Sequence, residues 1–195
     1  EGDYLEFVRA KPEGRKSRVK AVFSDGHYLE NWRSDLELRS PADRRRPVTF
    51  VSWFSAEAYC EWKGKSLPTV DEWEYSAEDR GRGKEAVKKR ILDWYGKPSS
   101  APPDPVGSTR KNGFGVWDLY GLVWEWTLDF NGAIQTAEAR DGGAKDEKLF
   151  CGSGSLGALD PTDYASFMRF SFRNSLKADY SIANLGFRCA REEGS

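Results

Sequence analysis

Eight Trp, eight Tyr and eleven Phe must find places in a chain where 31% of the residues are charged. That pairing narrows the fold more than anything else in the sequence. Rings bury large areas but demand geometric fit, and each Trp or Tyr carries a polar atom that needs a partner when buried. The expectation is a soluble chain with a core of large rings rather than long aliphatic runs. A length of 195 residues suits one domain with a sizeable core. No apolar stretch approaches the roughly 18–20 residues needed to span a bilayer.

Thirty basic and thirty-one acidic residues nearly cancel. The chain therefore carries no electrostatic footprint for nucleic acid or a membrane surface. Arg44-Arg45-Arg46, just before Pro47, reads as a solvated loop. The start at Glu1 is uninformative about targeting. Three cysteines permit at most one intramolecular bridge and leave one thiol over. A single histidine, His27, excludes any mechanism that draws several imidazoles from this chain.

Tyr4, Leu5, Phe7 and Val8 suit the start of a helix, and Val19, Val22 and Phe23 also sit at helical spacing before the turn signal Ser24-Asp25-Gly26. Pro47–Val51 is an extended entry to a helix that Ser52 can cap and Gly64 can stop. Thr69 and Glu72 have the spacing of a capping box for a further helix carrying Trp73 and Ala77 and ending near Gly81. A third helix spans Lys84 to Tyr95. The prolines of Ser99–Pro105 mark a loop. Phe114–Trp126 reads as aromatic and extended, and the polar stretch 131–148 as a mobile insertion. Met168, Phe170 and Phe172 alternate with Arg169, Ser171 and Arg173, the period of a half-buried strand. The sum is an α+β chain with a large irregular fraction.

Three blocks recur in an order and spacing that resemble one family. Pro47–Ala77 reads PVTFVSWFSAEAYCEWKGKSLPTVDEWEYSA, Pro105–Phe130 reads PVGSTRKNGFGVWDLYGLVWEWTLDF, and Asn184–Arg191 reads NLGFRCAR. The first forty-six residues match less well, with Gly2–Val8 similar to the first helix of the domain. Together these blocks resemble the formylglycine-generating-enzyme, or sulfatase-modifying-factor, family, as one domain over residues 1–195. The resemblance implies a C-type-lectin-like fold whose opening strands are missing here, supplied by a preceding segment or by another chain. The Phe150–Gly154 and Asp163–Phe167 stretches are similar to bacterial accessory proteins, some encoded near copper nitrite reductases.

The family enzyme oxidises a substrate cysteine with copper held by two thiolates, the soft ligands that Cu(I) favours. The matched positions here are Asp160 and Ala165, so the resemblance implies loss of that chemistry. It also implies a Cys60–Cys189 disulfide, with two reduced thiols as the alternative, and from the disulfide a periplasmic or otherwise exported location. A second family disulfide would need cysteines at about Ala77 and Phe170. Cys151 is then the odd thiol, either structural or a single copper ligand helped by Met168. Related iron-dependent enzymes use histidines that this chain lacks, so His27 reads as a surface or packing residue. Calcium in the family sits near the Trp-Glu-Trp motif. Here Glu125 stays while Leu122 replaces the family's Asn, and an arginine such as Arg173 or Arg188 could neutralise Glu125 instead.

Phe114, Trp117, Trp124 and Trp126 read most simply as core, with a cleft-lining role as the alternative. The resulting expectation is a protein- or peptide-binding accessory module of a periplasmic metalloenzyme system, its cleft drawing on Ser153, Arg173, Asn174 and Trp126. The alternatives are a metal-dependent oxidoreductase using Cys151 or the carboxylates Asp160 and Asp163, and a cell-envelope scaffold.

Overall fold

Short-range capping fixes where the helices begin. The Ser52 hydroxyl accepts the Ser55 backbone N–H at 3.3 Å, opening helix α2 at Trp53–Trp62. The chain leaves α2 through Gly64, whose φ of +66° suits a residue without a side chain. Thr69 and Glu72 close a reciprocal capping box: the Thr69 N–H donates to Glu72 Oε2 at 2.8 Å, and the Glu72 N–H to Thr69 Oγ1 at 3.2 Å. Helix α3 follows at Val70–Glu78. Helix α1 occupies Gly2–Ala10 and buries Tyr4, Leu5, Phe7 and Val8. Helix α4 spans Lys84–Tyr95 and α5 spans Tyr164–Asn174. This computed structural model describes residues 1–78, 84–96, 102–131 and 164–191.

Among the described residues regular sheet is scarce. Strand β1, Trp124–Trp126, pairs in parallel with β2, Leu185–Phe187, in the register Trp124 with Leu185, Glu125 with Gly186 and Trp126 with Phe187. Two strands of three residues do not hold themselves together, so packing around them must. A Cβ on Gly186 would stand 2.5 Å from the Val48 carbonyl oxygen, so only glycine lets the 47–51 segment approach β2 this closely. Phe50, at φ 56°, donates its N–H to Ile182 O and accepts from Leu29 N. The 47–51 entry is thus tied on both sides by irregular backbone hydrogen bonds.

The described chain divides into two compact units, Glu1–Leu128 with Ala178–Ser195, and Asp129–Lys177. In the first, the aromatic load forms a mesh. Tyr4 stacks on Tyr59 with centroids 5.4 Å apart, and Tyr59 meets Phe187 edge-on at 5.3 Å. Phe7 packs against Trp62 at 5.6 Å. Leu29, Val51 and Val8 fill the space between at zero exposure. Among the described residues no helix is long and apolar enough to cross a membrane.

Within this mesh the Tyr28 hydroxyl donates to Gly14 O at 2.8 Å and lies 2.8 Å from that of Tyr4. Burial pushes the Tyr28 phenol from 10.0 up to about 12, and pushes Tyr4 well above its ordinary range. A phenol held protonated by the fold stabilises it fully below pH 10. That contribution disappears as pH rises, because the unfolded chain releases the proton first. For Tyr28 alone, the loss between pH 10 and 12 is about 3 kcal/mol. Denaturant midpoints at pH 9 and 11.5, with phenolate absorbance followed in the native protein, check this. Tyrosines that all titrate near 10 with no drop in midpoint would sink it.

Several sequence expectations require correction. Met168–Arg173 is not a strand but part of α5. The alternating pattern would expose Arg169 and Arg173, yet both are buried, four residues apart on one helical face. A helix also satisfies its backbone internally, whereas a strand here would need a neighbour. The Phe114–Trp126 stretch is mostly turn. Lys111 and Trp117 form an isolated bridge, Asp118 takes φ 60°, and only Trp124–Trp126 is strand. Ala21–Phe23 is one 3₁₀ turn rather than a helix, and Val22 on it is 69% exposed. The expected helix end at Gly81 and the stretch 131–148, Asn131 apart, fall outside the described residues.

Candidate functional site

The register of β1 and β2 decides what surrounds Glu125. Its partner across the pair is Gly186, so Arg188, two residues further along, is the diagonal neighbour. Arg188 Nε reaches Glu125 Oε2 at 2.6 Å and Nη2 reaches Oε1 at 2.7 Å, a bidentate fork. The remaining guanidinium reach goes to Trp117 O at 3.1–3.2 Å. From α3, Trp73 Nε1 donates to Glu125 Oε2 at 2.7 Å. The Glu125 side chain is 7% exposed and that of Arg188 27%. Burial alone would pull the guanidinium down. The Glu125 carboxylate, its hydrogen bonds and then Asp118 outweigh it and raise Arg188 above its ordinary value.

Asp118 closes the other side. Its carboxylate accepts from the N–H groups of Gly107 and Thr109 and from Thr109 Oγ1, the last at 2.7 Å. At 6% exposure it is a buried carboxylate satisfied by its own loop. Arg188 thus neutralises Glu125, while Asp118 is held by the hydrogen-bond donors of Gly107 and Thr109. This arrangement holds β1, β2, α3 and the 107–118 loop in fixed relation, and it presents no free nucleophile or base.

Glu125 does not fit a calcium ligand here, because both of its oxygens are engaged by Arg188 and one also by Trp73. Calcium asks for six to eight oxygens. Among the described residues no three His, Cys, Asp or Glu side chains converge on one point. Of the two arginines considered for Glu125, the structure pairs it with Arg188.

The disulfide joins Cys60 on α2 to Cys189 just beyond β2, with Cα atoms 5.5 Å apart. Beside it Ser66 and Ala190 exchange backbone hydrogen bonds at 3.0 and 2.8 Å. Two of the three cysteines are thus accounted for. Cys151, Ser153, Asp160 and Asp163 fall outside the described residues.

Trp126 does not line a cleft. It has zero exposure, and its indole N–H donates to Val51 O at 2.9 Å, which makes it a core ring with its polar atom satisfied. Trp124 is half-buried, stacked on Tyr95 at 5.0 Å. Trp117 is 44% exposed rather than core, because the 111–117 turn leaves its ring outside while its carbonyl serves Arg188. Arg173 and Asn174 lie on α5 in the second unit, where Arg173 is buried and the Asn174 amide nitrogen is buried without a hydrogen-bond partner. His27 is on the surface, 2.9 Å from Glu30.

Sequence reasoning missed Trp73 and Asp118 as members of the Glu125 cluster. Trp73 carried a signal, since an indole on a buried helix face must find an acceptor.

The chain is 33% identical to the formylglycine-generating enzyme of Streptomyces coelicolor over 186 residues, covering 83% of this chain and 58% of that protein. It is 31% identical to the Bos taurus protein named inactive C-alpha-formylglycine-generating enzyme 2, covering 98% and 74%. With the Mus musculus formylglycine-generating enzyme it shares 31% identity, covering 98% and 58%. It therefore spans a little under three fifths of the length of the Streptomyces and mouse enzymes. Residues 2–193 match the family described as the sulfatase-modifying factor enzyme 1-like domain, and the chain belongs to that family.

Proposed function

We propose that this chain is a formylglycine-generating-enzyme-like domain without the oxidase chemistry, serving as a protein- or peptide-binding accessory module. One observation carries the reading. The Cys60–Cys189 bridge consumes two of three cysteines, so at most one thiol is left where Cu(I) chemistry of the family kind asks for two. The likeness to a relative named inactive supports it, since the same domain type persists there under a name that denies the activity. The C-type-lectin-like architecture and the treatment of 1–195 as one domain belong to the same proposal, supported by the match over residues 2–193.

The binding role draws on the cleft proposed at Ser153, Arg173 and Asn174. The unpartnered Asn174 amide supports it, because a buried donor without an acceptor costs about 1–3 kcal/mol until a ligand carbonyl or carboxylate supplies one. An exported location, in a periplasmic metalloenzyme system, is supported by the disulfide, a bond that persists in oxidising compartments.

The test is direct. The protein, copper and oxygen are incubated with a peptide containing Cys-x-Pro-x-Arg, the motif type read by the enzymes it resembles. Mass analysis is expected to return the peptide cysteine unchanged. Aldehyde formation that depends on this protein and turns over many times would refute the proposal.

A further inference from the structure

Helix α2 buries only one side in the core. Ala56 and Cys60 are fully buried, while Phe54, Ala58 and Trp62, at i, i+4 and i+8, line an open groove. The groove encloses about 720 Å³ between this face of α2 and the segment from Lys11 to Phe23. Its floor is ring and aliphatic surface. Phe7 closes one end against Trp62 at 5.6 Å, and Phe23 meets Phe54 at 5.2 Å at the other. Ala58, exposed between the two larger rings, leaves the indentation into which a side chain would go.

The rim is charged unevenly. Lys11, Arg18 and Lys20 stand along the 11–23 side, and none of them makes a salt bridge among the described residues. Glu13 shares that side, and Glu61 stands opposite on α2. The 11–23 wall therefore carries an excess of cations over an apolar floor. An occupant that complements it carries carboxylates along one edge and an apolar side chain directed at the floor.

We infer that this groove is a docking site for an acidic segment of a partner protein, which seats an aliphatic or aromatic side chain over Ala58 and sets Asp or Glu side chains against Lys11, Arg18 and Lys20. The groove shares no residue with the cleft proposed above at Ser153, Arg173 and Asn174, so the two proposals are tested separately.

A displayed library of random nonapeptides, selected on the full chain, tests it. The expected result is enrichment of sequences that place Asp or Glu beside one large apolar residue. Their binding should weaken at least tenfold when Ala58→Arg fills the indentation. It should weaken several-fold when Lys20→Glu and Arg18→Glu reverse the rim, and again as salt rises. All three positions are exposed, so the variants are expected to keep the parent's melting temperature, which is measured alongside. Enrichment of basic or uncharged sequences, or no enrichment, overturns the inference. Clones that bind the Ala58→Arg protein undiminished also overturn it, while leaving a peptide-binding role elsewhere on the molecule intact. Concentration-dependent dimerisation abolished by Ala58→Arg would assign the groove to a second copy and overturn it too.

Discussion

Replacing Cys60 and Cys189 together by alanine is expected to lower the unfolding free energy by about 5 kcal/mol. The bridge spans a sequence separation of 129, and closing a loop of that size removes a large share of the unfolded chain's freedom. Set against an ordinary domain stability of about 5–15 kcal/mol, the loss approaches the threshold of folding. The cross-link also fastens α2, which carries part of the ring mesh, to the end of β2. The measurement is urea denaturation of the oxidised protein, the reduced protein and the double variant. Midpoints within the equivalent of about 1 kcal/mol would show the bridge to be dispensable. Alkylation of all three cysteines in native protein would show that it does not form.

Arg188→Met is expected to cost about 3–5 kcal/mol, because it strands the Glu125 carboxylate in a buried site with the Trp73 indole as its remaining partner. The pair itself need not be strongly stabilising, since both charges were taken out of water to form it. Glu125→Leu combined with Arg188→Met should accordingly recover most of the loss. A double-mutant cycle by chemical denaturation separates the two ideas. A single Arg188→Met variant within about 1 kcal/mol of the parent would mean that solvent reaches Glu125 freely. A double variant no better than the worse single one would mean that the pair's geometry, rather than charge balance, is what the fold requires.

What could be read in advance follows from the range of the interactions involved. Helices α2 and α3 were legible because their caps lie within three residues of each other, at Ser52 with Ser55 and at Thr69 with Glu72. Helix α5 was not. Three apolar residues at alternate positions imitate a strand, and the sequence alone does not reveal that Arg169 and Arg173 are buried. The family likeness pointed to calcium near Glu125, with an ion pair to Arg173 or Arg188 as the alternative, so the partner of Glu125 stayed open. The choice was made by the pairing of β1 with β2 across some sixty residues, a tertiary fact. The exposed faces were the least legible. Trp117 and Trp126 are chemically alike, yet one is 44% exposed and the other wholly enclosed. Nor do the rings of α2 say which of its faces the rest of the molecule leaves bare.

The short parallel pair of β1 and β2 has a consequence for how the protein comes into being. β1 has no strand partner until Leu185–Phe187 arrives, Glu125 has no counter-ion until Arg188 follows, and Cys60 lacks its disulfide partner until Cys189 does. During synthesis or threading through a membrane channel, everything from α1 to the Trp124–Trp126 strand would emerge with its rings unsealed. Closure of the first unit then waits on a four- or five-residue stretch made late. Such a chain is slow to fold, because distant segments must meet before much of the reward is gained. It is also exposed to self-association in the interval. A nascent chain stopped short of residue 185 should therefore be open to proteolysis throughout the first unit, and one released beyond Cys189 should become resistant in a single step.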